Sequence, residues 1–151
     1  MSNLPKEPKY EEIMTYLEEY GWLYRDTKSD SGERVLLTNV ALDNEVGILI
    51  SLNINEEFVM VSTVKFLFDI DPKFSESLLA FNDILKLVKL YGFVYDDKLE
   101  AEIGFELWAG SWNKETFFSF LDMLSLGIEK TLDYLEEENI DFKTQFIEYT
   151  D

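Results

Sequence analysis

The chain has 151 residues, 46% of them hydrophobic and 15% aromatic, and a formal charge of −18 from 31 acidic and 13 basic side chains. It contains no Cys and no His, which excludes disulfides, thiolate metal sites, a cysteine nucleophile and a Ser–His–Asp triad, and removes the commonest general base. A chain this apolar is long enough to bury one core, and one this acidic repels nucleic acid and anionic membrane.

Residues 1–8 are polar and hold two of the three prolines, so they read as a frayed lead-in. They lack the apolar core of a signal peptide, and no apolar run reaches the roughly 18 residues of a membrane span. A cytoplasmic protein is expected. Helix one spans about Lys9 to Tyr20, with Tyr10, Ile13, Met14, Leu17 and Tyr20 on one face and Glu11, Glu12, Glu18 and Glu19 on the other. Gly21 stops it, as a left-handed residue would. Trp22-Leu23-Tyr24 begins a short strand, and Asp30-Ser31-Gly32 lies in a polar turn. Arg34 to Leu42 is a strand, and Asp43-Asn44 a tight turn. Val46, Ile48, Ile50, Leu52 and Ile54 then alternate without a fault, which puts one strand face in the core.

After a turn at Asn55-Glu56-Glu57, Phe58 to Asp69 reads as the longest strand, apolar in places on both faces: Phe58, Met60, Phe66 and Phe68 on one, Val59, Val61 and Leu67 on the other. Asp71-Pro72 opens helix two, Asp as N-cap and Pro at the first helical position. Phe74, Leu78, Phe81, Ile84, Leu85, Leu87, Val88 and Tyr91 give it a broad apolar arc, with Asn82 at the edge, and Gly92 ends it. Phe93 to Asp96 and Leu99 to Leu107 form a hairpin joined at Asp97-Lys98, with Ala101, Ile103, Phe105 and Leu107 facing in and Glu100, Glu102 and Glu106 facing out. Asn113 caps helix three, from about Lys114 to Glu138, whose buried stripe is Phe117, Phe120, Leu121, Leu124, Ile128, Leu132 and Leu135. Gly127 marks a close approach of another element. The tail, residues 139–151, keeps Ile140, Phe142, Phe146, Ile147 and Tyr149 and is too apolar to hang free, so it docks.

The order α-β-β-β-β-α-β-β-α with short connections predicts one α+β domain over residues 1–151, a twisted antiparallel sheet packed by helices. Its candidate chemistry is thin. Asp69 and Asp71 could hold a hard cation, but capping explains Asp71 better. Asp96, Asp97, Glu100 and Glu102 form an acidic cluster that reads as a solvated face, since nothing suggests a cleft. Asn82 points to structural use, bonding a neighbouring backbone or setting a pairing register. Trp108 and Trp112 around Gly110 read as packing at a chain turn. Gly104 and Gly110 have no partners at phosphate-loop spacing, and Asp30-Ser31-Gly32 lacks the glycine that a nucleophile elbow needs before its serine.

The helix segment Leu78-Leu79-Ala80-Phe81-Asn82, the turn at Gly92-Phe93, the hairpin Val94-Tyr95-Asp96-Asp97-Lys98-Leu99 and the final helix with Phe120-Leu121 through Ile128 to Leu135 resemble the YbjN-type family of candidate regulators. The fold of that family resembles that of the type III secretion chaperones. The resemblance spans roughly residues 9–138 and rests on packing patterns that carry no chemistry. It implies a type III secretion chaperone-like domain in a homodimeric, non-enzymatic protein that binds other polypeptides.

The expectation is therefore a protein-binding module, chaperone-like or regulatory, with no catalytic residue, no cofactor and no metal. Its partners are itself, as a homodimer, and another polypeptide of basic or amphipathic character, with neither nucleic acid nor membrane. The alternative is an acidic immunity or inhibitor protein that neutralises a basic toxin or nuclease, which the −18 charge would steer. Helix two carries more apolar surface than one sheet can cover, which marks Leu79, Leu87, Leu90 and Tyr91, with Val59 and Val61, as candidate dimer or partner contacts. Period alone cannot separate that reading from burial of the same groups within one chain.

Overall fold

The computed structural model describes residues 9–41, 46–55, 57–144 and 146–148. Helix α1 (Tyr10–Tyr20) buries Ile13 and Leu17, and Gly21 closes it at φ 95 with its N–H on the carbonyls of Leu17 and Glu18. Strands β1 (Tyr24–Lys28), β2 (Arg34–Ala41), β3 (Val46–Asn55) and β4 (Phe58–Thr63) follow as an antiparallel meander. Then come β5 (Leu67–Ile70), helix α2 (Ser75–Phe81), the hairpin β6 (Lys89–Tyr95) and β7 (Lys98–Trp108), helix α3 (Lys114–Glu137) and a final strand β8 (Phe146–Glu148). The α+β class and the order of elements stand as expected, with one strand divided and one gained from the tail. Residues 1–8 and the turn expected at Asp43-Asn44 lie outside the described residues.

The helices lie on one face of the sheet. That face is built from Leu36 and Val40 of β2, Ile48, Ile50 and Leu52 of β3, Val59 and Val61 of β4, and Ala101, Ile103, Phe105 and Leu107 of β7, all buried. Alternation along each strand puts these groups on one side, so the sheet buries them in one layer against the helices. Tyr16 and Tyr20 of α1 meet the rings of Phe117 and Phe118 at the start of α3. Phe120 of α3 meets Phe105 of β7, and Phe81 of α2 stacks on Tyr134. Gly127 lets α3 come close: a Cβ there would lie 2.9 Å from Ile103 and 3.0 Å from Val88. Asn113 caps α3 by accepting the Thr116 N–H at 2.8 Å.

The long strand expected over Phe58–Asp69 is two strands on one edge of β7. The last β4 pair is Ser62 with Gly104 and the first β5 pair is Leu67 with Ala101, so residues 63–66 face only Glu102 and Ile103. Two extra residues bulge out, with Lys65 at φ 51. A bulge orphans backbone groups, and side chains take them up here. Thr63 Oγ1 accepts the Ile103 N–H at 3.0 Å, and the Thr63 hydroxyl donates to the Glu102 carboxylate. That carboxylate also accepts the Phe66 N–H at 3.1 Å.

The bend opens a wedge in the sheet. β4 covers the edge of β3 from Ile50 to Asn55 and then departs, leaving Val46–Ile48. The tail fills the wedge: β8 pairs with Val46–Ile48, and Lys143 exchanges two backbone bonds with Phe68, at 2.8 and 2.9 Å. Lys143 Nζ also reaches Asp69 at 2.9 Å, and Ile140 is buried. The docked tail is thus a strand segment.

Candidate polypeptide-binding edge

The largest departure from expectation lies between Phe81 and Tyr95. Helix two stops at Phe81, and Gly92 does not end it. Turns of i to i−3 type follow, with Asn82, Asp83 and Ile84 N–H on the carbonyls of Leu79, Ala80 and Phe81. Leu87 takes φ 68, and β6 begins at Lys89. The segment Leu85-Lys86-Leu87-Val88-Lys89-Leu90-Tyr91 satisfies two periods at once. Val88 and Leu90 are buried while Lys89 and Tyr91 are exposed, which is the alternation of a strand. Asn82 decides the contest. Its Oδ1 accepts the Leu90 N–H at 2.6 Å and its Nδ2 donates to the Leu90 carbonyl at 3.0 Å. Asn and Asp compete with helical backbone through such bonds. Lys89 Nζ adds bonds to the Asn82 and Leu85 carbonyls at 2.8 and 2.7 Å.

The hairpin turns at Asp96-Asp97, one residue earlier than expected, with φ 51 and 59 and Tyr95 paired to Lys98. Positive φ at both central residues matches the twist of the flanking strands, and Asp tolerates it. β6 pairs with β7 along one side from Lys89 to Tyr95. Among the described residues, no strand pairs with its other side. Residues on a strand alternate in the direction their N–H and C=O point. Leu90 points its pair to the free side, where Asn82 holds it. Gly92 and Val94 share that direction, so their four groups stand open.

Apolar side chains gather around this edge. Leu79 is 71% exposed, Ile84 53%, Leu87 52%, Tyr91 51% and Val94 58%. Between α2 and the hairpin lies a groove of about 210 Å³, lined by Leu78, Leu79, Leu90, Gly92, Leu99 and Ala101, with Ser75 and Tyr91 at its rim. Gly92 forms part of its wall, and a Cβ there would press on the Glu100 carbonyl oxygen. On the other face Tyr91 reaches across Gly104 to hydrogen-bond Ser62, a strand farther on. Burial pushes the Tyr91 phenol up from its ordinary pKa.

Of the six residues singled out as contacts, Leu79, Leu87 and Tyr91 stand exposed along this edge. Leu90, Val59 and Val61 are buried within the chain. Sequence reasoning placed Val94 on the hairpin strand and Ile84 on helix two without singling out either as a contact, and it missed the unpaired backbone of β6 because it placed the start of that strand on a helix. The acidic cluster divides. Asp96 and Asp97 are exposed, as expected of a solvated face. Glu102 is instead half-buried in the bulge, and desolvation raises its pKa against the lowering effect of the bonds from Thr63 and Phe66. Asp71 caps by accepting the Lys73 N–H at 3.0 Å, and Asp69 pairs with Lys143. Trp112 packs against Tyr16 and Phe117, whereas Trp108 is 47% exposed. Among the described residues there is no acidic group set for a metal ion, and no helix is long and apolar enough to cross a membrane.

No family model and no curated protein matches the chain. Among solved structures it is similar to the crystal structure of YbjN from E. coli, described as a candidate transcription regulator. The likeness has a TM-score of 0.63 over 94% of this chain and 100% of that one, at 13% identity. What it establishes is a shared fold.

Proposed function

We propose that this protein is a non-enzymatic polypeptide-binding module, chaperone-like or regulatory, that works as a homodimer. The observation that carries the reading is the coincidence of an open strand edge with exposed apolar side chains. Five of the nine large exposed hydrophobics among the described residues fall between Leu79 and Val94. An apolar cluster on an unpaired edge attracts another strand, and chains that avoid association put charges or Pro there. β6 offers only Lys89 as a charge and has no Pro. The described carboxylates cap, pair with cations, fill the bulge, accept bonds from tyrosine hydroxyls or lie in solvent. The likeness to a candidate regulator agrees with a binding role.

Light scattering after size exclusion tests the reading. A species of twice 17.7 kDa that persists at high salt is expected. A 17.7 kDa species at every concentration and salt would end it. Association confined to low salt and to basic partners would favour the acidic-inhibitor alternative.

A further inference from the structure

We propose that two copies join through β6 in one register, centred on Phe93, and that Asn82 selects that register. The inference rests on the homodimer reading and names its geometry.

Among the described residues, only Gly92 and Val94 offer free N–H and C=O groups on the open side of β6, since the Asn82 amide occupies those of Leu90. Antiparallel pairing about a two-fold axis must match outward-pointing residues with outward-pointing residues. Three registers of that parity set Gly92 and Val94 opposite themselves or each other. Centred on Gly92, each copy needs the backbone of Leu90, which Asn82 holds. Centred on Val94, Gly92 faces Asp96 of the other copy, where φ of 51 has already turned the chain away. Centred on Phe93, Gly92 of each copy meets Val94 of the other, and all four open groups of each copy are used.

Two further features fit this register. Val94, 58% exposed, comes to lie opposite Gly92, beside the groove walled by Gly92, Leu90 and Leu79. A projecting valine thus meets the place where a side chain is missing, twice over by symmetry. Charge also agrees. Lys89 of one copy falls near the Asp96-Asp97 turn of the other, and both aspartates are exposed. The Lys89 ammonium uses two donors on Asn82 and Leu85 and retains a third. An edge with local opposite charges can self-associate in a molecule of net charge −18. Joined so, the two sheets become one, with the grooves facing the junction.

The chain has no cysteine, so single-cysteine variants of the full chain report the register directly. In the proposed pairing the two Phe93 Cα atoms form a non-hydrogen-bonded pair about 4.5 Å apart, within reach of a disulfide. Tyr91 lies opposite Tyr95 of the other copy, which sets the two Tyr91 Cα atoms about 13 Å apart. Phe93→Cys should therefore oxidise to a covalent dimer and Tyr91→Cys should not. A native dimer by light scattering whose Phe93→Cys variant stays a free thiol would overturn this register while leaving the homodimer reading standing. Monomers throughout would remove both. Asp97→Asn keeps the turn chemistry and tests the same pairing without a core change. It should raise the dimer Kd several-fold at low salt and leave it unchanged at high salt. An unchanged Kd at both would count against the approach of Lys89 to that turn and so against the register.

Discussion

The wedge between β3 and β5 and the free side of β6 are both left unpaired by the neighbouring strands, and the chain treats them differently. At the wedge between β3 and β5 it supplies a whole segment: Phe142 packs on the core, Lys143 pairs with Phe68, and β8 pairs with Val46–Ile48. At the free side of β6 it supplies one side-chain amide, which satisfies Leu90 and leaves Gly92 and Val94 open. The first opening is closed from within. The second is trimmed to a fixed length. The difference teaches that an open edge here is not a failure to cover backbone, because the same molecule covers an equivalent gap completely.

The comparison can be broken most forcefully by deleting residues 142–151. The loss of the Phe68–Lys143 bonds, the β8 ladder and Phe142 packing should lower unfolding free energy by about 3 kcal/mol in urea. Hydrogen exchange should quicken at Gly47 and Phe68 and stay slow across β6–β7. Unchanged protection at Phe68 would mean that the tail does not close the wedge. Asn82→Ala comes next. It strands two backbone groups of Leu90 and should cost about 2 kcal/mol. If the cost is negligible, the edge is not held by that amide.

Glu102→Gln sharpens the comparison from the bulge that creates the wedge. Desolvation in the folded state raises the Glu102 pKa above its ordinary value of 4.5. The native state therefore holds this proton more firmly than the unfolded chain. Its contribution to stability is present below pH 4.5 and falls as pH rises through the raised folded value. Subtracting the Glu102→Gln stability curve from that of the wild type should show this decline and cancel the effect of the other carboxylates. A flat difference would show that desolvation does not govern the group. The smallest effect on folding is expected at Leu79→Ser. A side chain 71% exposed should change stability by less than about 0.5 kcal/mol, yet weaken self-association. A large drop in stability would place Leu79 in the core of the single chain.

Much of the fold was legible because its signals were periodic. The faultless alternation of Val46 to Ile54, the stripe of α3, the caps at Gly21, Asp71 and Asn113, and the close approach at Gly127 each have one physical reading. Asn82 was legible as a structural residue, though its partner was not. What misled was Leu85 to Tyr91, where apolar groups satisfy helical and strand periods together. The tie was broken by a tertiary bond from Asn82 and by Leu87 at positive φ, neither of which periodicity contains. That misreading hid the first half of β6 and with it the open backbone of the edge. Glu102 was misjudged for a related reason. Alternation put it outside, but a bulge brought backbone donors to it.

The order in which the wedge is closed has a consequence for how the molecule is made. Every strand bordering the gap precedes the residues that fill it. A chain growing from the ribosome can form β1 to β7 while Lys143 and β8 are still unsynthesised, and domains acquire structure as they emerge. During that interval the backbone of Val46–Ile48 and Phe68 is exposed alongside the free side of β6. The nascent protein thus exposes one more unpaired stretch than the finished one, so its exposure to misassembly is greatest just before its last strand is translated.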